Sequence, residues 1–206
     1  MIGVDRPILL DFPDSFETER LLIRAPRMGD GQALNTALAE SIDNLKRWLP
    51  MPWTQNIQTV DETEEMVRRW AALWILREDL RLSLFRKSDG LLVGGSGLHR
   101  IDWNVMRFEI GYWVRSSLEG QGYIGEAVAG VTAFAFDVIG AERIEIRCDS
   151  LNKRSVIVAR RAGYILEGTL RNNYDTPDKS ALRDTMVFSM LRAEYLQRQH
   201  LAEMEK

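Results

Sequence analysis

The chain has 206 residues, 45% of them hydrophobic and 28% charged, enough to bury one sizeable core and near the upper end of ordinary single-domain size. Its 27 Lys and Arg against 30 Asp and Glu give a formal net charge of -3 with no long run of either sign, which argues against a general nucleic-acid binder. No apolar stretch reaches the ~18 residues of a membrane span, the N-terminal residues form no apolar signal segment, and one cysteine (Cys148) with two histidines (His99, His200) supplies neither an internal disulfide nor a metal cluster. One cytoplasmic domain over residues 1–206 is expected, with no metal, no membrane contact and no direct nucleic-acid partner.

In chain order, Leu21, Leu22, Ile23 and Arg24 read as a first strand and residues 29–42 as a helix. The stretch 48–53, with Trp48, Pro50, Pro52 and Trp53, is too rich in proline for a regular helix. Thr59 with Glu62 three residues on makes a capping box, and Met66, Trp70, Leu73 and Trp74 recur at helical spacing, so a second helix is predicted to end near Leu80. Strand-like runs at 81–87 and 91–98 flank Asp89 and Gly90, a strong hairpin-turn pair. Residues 108–114 read as a strand, followed by a glycine-rich turn and a helix whose Ile124, Val128, Val131, Ala135 and Val138 share one apolar face. A strand at 143–148, a helix at 153–162, strands at 164–169 and 185–191, and a helical tail complete the pattern. Strands first in hairpins and then alternating with helices imply an α/β chain built on a mixed sheet with helices on both faces.

Gly120, Gln121, Gly122, Tyr123, Ile124 and Gly125 spell G-x-G-x-x-G between a strand and a helix, with Asp149 at the end of the next strand. Glycines there let backbone amides approach a pyrophosphate, and the helix N-terminus adds the positive end of its dipole. Several cofactors share that need, and for an isolated match a tight turn with no ligand is usually the better explanation. Residues 115–119 separate the strand from the glycines and the unit begins halfway along the chain, both of which count against a nicotinamide dinucleotide.

Three blocks in order carry a more specific signal: residues 108–114 (FEIGYWV), the glycine turn with Glu126 and Ala127, and residues 152–168 (NKRSVIVARRAGYILEG). Together they resemble the core of the GNAT superfamily of N-acetyltransferases, nearest to its RimJ/RimL-type branch. The resemblance extends to residues 19–24 and to Arg183, Asp184 and residues 186–191, so it covers roughly 17–195. It implies a central, mostly antiparallel sheet of six to seven strands and acetyl-CoA as co-substrate. Against the family signature Q/R-x-x-G-x-G/A, Glu119 replaces the opening Gln or Arg and Ile124 the small residue. Arg115, Lys153, Arg154, Arg160 and Arg161 offer compensating cations, and each is equally an ordinary solvated side chain.

Acetyl transfer to an amine needs an unprotonated nucleophile, donors for the thioester oxygen and a proton for the departing thiolate. An α-amine, with a reference pKa of about 7.7–8.0 against about 10.4 for lysine, is the easier to deprotonate. The resemblance implies Glu109 as the base near the acceptor amine, acting directly or through water. It implies the backbone of Ile110, Gly111, Tyr112, Trp113 and Val114 as partner to the pantetheine arm, Glu119 to Gly125 as the pyrophosphate cradle, Asn152 as a second hold on the arm, and Ser155 as general acid to the sulfur. Without the resemblance, Glu109 is an ion-paired strand residue and Asn152 the N-cap of a helix with Ser155 in its first turn. Tyr164 reads as core, Cys148 as a strand residue rather than a nucleophile, and His99 has no assignment. Trp48 and Trp53 are expected to border the acceptor, a peptide or protein N-terminus in preference to a polyamine. Asp61, Glu62, Glu64 and Glu65 are available to attract a cation. A non-catalytic acyl-CoA binding module and a nicotinamide enzyme are the rival readings, and a homodimer stays open.

Overall fold

The computed structural model describes residues 3–49, 51–176 and 179–204. Its strands are β1 (Ser15–Glu17), β2 (Leu21–Arg24), β3 (Leu80–Arg86), β4 (Leu92–Asp102), β5 (Arg107–Val114), β6 (Arg143–Asp149), β7 (Ile165–Asp175) and β8 (Leu182–Leu191). The helices are α1 (Gly31–Trp48), α2 (Val60–Leu76), α3 (Tyr123–Ala133), α4 (Lys153–Arg161) and α5 (Arg192–Met204). The strands form one sheet in the order β1-β2-β3-β4-β5-β6-β8-β7, with β5 and β6 its one parallel pair. A doubly wound nucleotide fold needs a parallel sheet, so the nicotinamide reading is overturned. The sheet has eight strands rather than six or seven because β1 is only three residues long and too short for alternation to show.

Alternation along each strand divides the core between the two faces of the sheet. Val93 packs with Leu21, Ile23, Leu84, Val128 and Val131. Its neighbour Leu92 packs on the other face with Leu34, Leu38 and Leu45 of α1 and Val67 of α2. The apolar stripe of α1 therefore continues through Ser41 and Leu45, and the helix runs to Trp48 instead of ending at 42. It stops where Pro50 approaches in sequence; Pro50 itself lies outside the described residues. The second helix ends earlier than expected, at Leu76, because Arg77 turns into the left-handed region (φ 61°) and caps the carbonyls of Leu73 and Trp74. After α3 a wide π-helical turn, Phe134–Ile139, buries Phe134, Ala135, Phe136 and Ile139. That extra residue per turn rotates Val138 off the predicted apolar face and leaves it 48% exposed. The freed carbonyl of Phe136 accepts from Arg192 Nη2 at 2.8 Å.

One feature of the sheet positions the site. β5 and β6 pair only at Arg107 with Arg143, Phe108 with Ile144 and Glu109 with Glu145. Beyond them β5 stays with β4 to Val114 and β6 stays with β8 to Asp149, so the two strands part and a wedge opens between them. Among the described residues, no helix is long and apolar enough to cross a membrane.

Candidate active site

A cavity of about 290 Å³ fills the wedge, lined by Ile110 to Val114 of β5, Cys148 of β6, Asn152 before α4 and Ser155 within it. A second cavity, of about 460 Å³, lies between α1, α2 and the sheet and is walled by Trp53, Trp70, Asp79 and His99. The two meet at Leu49, Glu109, Gly111, Tyr112 and Trp113. Four of these five residues belong to β5, so that strand is a wall common to both cavities.

On the wedge side, Asn152 accepts the Ser155 N–H at 3.1 Å and caps α4, which fixes Ser155 in the first turn. The Ser155 hydroxyl lies 2.7 Å from the Tyr112 hydroxyl. Burial pushes the Tyr112 phenol well above its ordinary value, so it stays protonated beside Ser155. The sequence suggested only a backbone role for Tyr112; its hydroxyl meets Ser155 from 43 residues away, a distance no local pattern spans. Cys148 is buried, and burial raises its thiol, which disfavours the nucleophilic thiolate. Tyr164 is core, its hydroxyl 2.8 Å from Thr132 Oγ1.

Gly120 and Gly122 both adopt left-handed backbone (φ 76° and 82°), the conformation that lets the turn enter α3. Glu126 is the first residue whose amide finds a helical acceptor, Gly122 O at 3.1 Å, so the amides of Tyr123, Ile124 and Gly125 have none within the helix. Glu119, Gly120 and Ile124 face the wedge cavity. The Gln121 side chain turns back to Ser117 O, and the Tyr123 ring is buried beneath Arg20. Glu119 does not point freely into solvent: it accepts from Asn44 of α1 at 2.8 Å and pairs with Arg154 of α4. Arg115 is not available as a cation for phosphate, because it is buried against Glu40 at 2.6 Å.

Glu109 belongs to both cavities. Its Oε2 sits 3.4 Å from Arg100 Nε and 3.4 Å from Arg147 Nε, yet is buried and accepts no hydrogen bond from the described residues. Burial raises its carboxyl above the ordinary value against the pull of Arg100, Arg147 and His99. A base of that kind is free to take a proton from an amine or an intervening water.

The two tryptophans separate. Trp48 ends α1 and lines the wedge cavity, so it does not share a pocket with Trp53. Trp53 stands edge-on to Trp70, centroids 5.6 Å apart, in the second cavity, and its buried Nε1 has no partner among the described residues. The acidic start of α2 is partly spent on local structure: Glu62 completes the Thr59 capping box, Glu64 accepts from the amides of Gly29 and Gly31, and Glu65 pairs with Arg69.

The Acetyltransferase (GNAT) domain family matches residues 20–165 of this chain. The chain belongs to the GNAT acetyltransferase family. This acetyltransferase is similar to the putative ribosomal N-acetyltransferase YdaF of Bacillus subtilis (strain 168), 26% identical over 178 residues that cover 86% of this chain and 94% of that protein. The ribosomal-protein-serine acetyltransferase of Escherichia coli (strain K12) is 30% identical over 128 residues, 61% of this chain and 70% of that one. Among solved structures, the RimL ribosomal L7/L12 alpha-N-protein acetyltransferase in complex with coenzyme A superposes with a TM-score of 0.75 at 22% identity, over 84% of this chain and 95% of that chain. At that identity the likeness speaks for the fold. The wedge, the glycine turn and the α4 cap are thus parts of an N-acetyltransferase.

Proposed function

We propose that this acetyltransferase transfers acetyl from acetyl-CoA directly to the α-amine of a peptide or protein N-terminus, with the wedge cavity holding the pantetheine arm and the second cavity the acceptor. The meeting of the two cavities across β5, at Glu109, Gly111, Tyr112 and Trp113, carries this reading. The wedge fits the co-substrate: the edge of β5 from Ile110 onward has no strand partner in β6, and α3 presents amides without helical acceptors. An extended arm adds to such an edge as a strand would, and a pyrophosphate takes such amides. Acetyl-CoA supplies the thioester carbon and the thiolate leaving group. A β5 amide polarises the oxygen that gains charge, Glu109 draws a proton from the amine, and Ser155, backed by Tyr112, protonates the sulfur.

The relatives support a ribosomal-protein acceptor, and Trp53 supports a peptide one. Its unpartnered buried N–H matches a carbonyl, which a peptide has and a polyamine lacks. The test compares kcat/KM for short peptides with free α-amines against spermidine. Peptides are expected to win, with Trp53→Ala raising peptide KM and Trp48→Ala acting on acetyl-CoA KM instead. Higher efficiency with spermidine defeats the peptide assignment.

A further inference from the structure

The acceptor cavity holds a pair that these roles leave unused. His99 on β4 stands opposite Glu109 on β5 in the strand register. Its Nδ1 lies 2.5 Å from Asp79 Oδ1, while Asp79 Oδ2 accepts from Arg81 Nε at 2.8 Å. Burial pushes the Asp79 carboxyl up, and its contacts with His99 and Arg81 more than reverse that, so it stays ionised. An ionised carboxylate only accepts, so Nδ1 carries a proton, and in the neutral ring the lone pair is on Nε2. No described residue hydrogen-bonds to Nε2. The ring lies over two glycines: a Cβ on Gly111 would stand 2.9 Å from Cδ2 and 3.1 Å from Nε2, and one on Gly97 3.0 Å from Cε1. Any larger residue at 97 or 111 would displace the ring, and Gly111 is where the two cavities meet. A bulge after His99, with Arg100 at φ 45°, brings Arg100 onto Glu109 and leaves His99 facing the cavity.

We propose that His99 is a second proton acceptor for the acceptor amine and that Asp79 is a positioning residue that fixes its tautomer; this rests on the acetyltransferase reading above. The chemistry gives a second acceptor work to do. An ammonium nitrogen must shed two protons to become an amide N–H, while the N–C bond forms, the C–S bond breaks and the sulfur gains one proton. One proton passes to Glu109 before attack and the other to His99 Nε2 as the N–C bond forms. Ser155 gives its proton to sulfur and regains one from solvent. Glu109 and His99 each return one to solvent, so each turnover releases one proton net.

The chain has two histidines, so long-range 1H–15N spectra, with His200→Gln to assign them, read His99 directly. The wild type is expected to show the Nδ1–H tautomer, and Asp79→Asn to lose it. His99→Ala and the proton-refusing His99→Gln should each lower kcat by about 100-fold with acetyl-CoA still raising Tm, and added imidazole should recover about tenfold in His99→Ala alone. An Nε2–H tautomer in the wild type, wild-type kcat in His99→Gln, or loss in His99→Ala that imidazole leaves untouched overturns the proposal. Failure of the wild type to release thiol with any amine overturns the acetyltransferase reading beneath it, whereas turnover that survives His99→Gln overturns this inference alone.

Discussion

Glu109 is held between burial, which raises its carboxyl, and two arginines, which lower it, and burial prevails. A carboxyl with a folded pKa above its unfolded value binds more protons in the native state, so it subtracts stability once pH rises past the unfolded value. Glu109→Gln is therefore expected to melt no lower than wild type at neutral pH and to lose its advantage in acid, while turnover falls at every pH. Melting curves from pH 4 to 8 check the sign; a variant less stable than wild type at pH 7 contradicts it. Ser155→Ala should lower kcat more than it weakens acetyl-CoA binding, because protonation of the thiolate counts chiefly in the transition state, and Tyr112→Phe should follow in the same direction. Paired turnover and acetyl-CoA titrations decide this, and an unchanged kcat in both variants removes the relay. That Glu109, Asn152 and Ser155 share one cavity could be anticipated from the sequence because each falls inside a motif of contiguous residues. Tyr112's hydroxyl and the Asp79–His99 pair could not, since their partners lie 20 to 43 residues away and meet only when the sheet forms.

At the scale of elements, the glycine turn was legible as a turn into a helix but ambiguous as to fold, and the sheet direction around it resolved the ambiguity. Gly122 holds φ 82°, so Gly122→Ala is expected to cost about 1–2 kcal/mol, seen as a Tm lower by several degrees, and to weaken acetyl-CoA binding. Gly125→Ala, in helical backbone with nothing within 4 Å of the added methyl, serves as the control and should leave Tm unchanged or higher. Equal melting of the two variants would show that the left-handed turn is not constrained. Helix ends were the least legible part. α1 gains a turn and a half because its apolar stripe continues past Ile42, and that extension carries Trp48 away from Trp53 to the other cavity. The π-helical turn had no signal in spacing, because Val138 fits the periodicity of a regular helix that the chain does not keep.

Across the whole molecule, the wedge proposed for acetyl-CoA is bordered by α1, which is tied to the segment after β5. Glu40 of α1 makes that tie: the Ser117 hydroxyl and amide and the Arg115 guanidinium hold its carboxyl at about 2. Because the folded value is depressed, the contribution is present above the unfolded carboxyl value and is lost as pH falls toward 2. Glu40→Gln should thus melt below wild type at pH 7, with the gap narrowing below about pH 4.3; a gap independent of pH would assign the loss to packing. In the proposed function acetyl passes straight across β5, with no covalent stop on Cys148. Initial rates of thiol release, measured while acetyl-CoA and a peptide α-amine are varied together, test that most directly. Intersecting double-reciprocal lines, with Cys148→Ser still active, are the expected result; parallel lines with acetyl recovered on Cys148 would contradict the account.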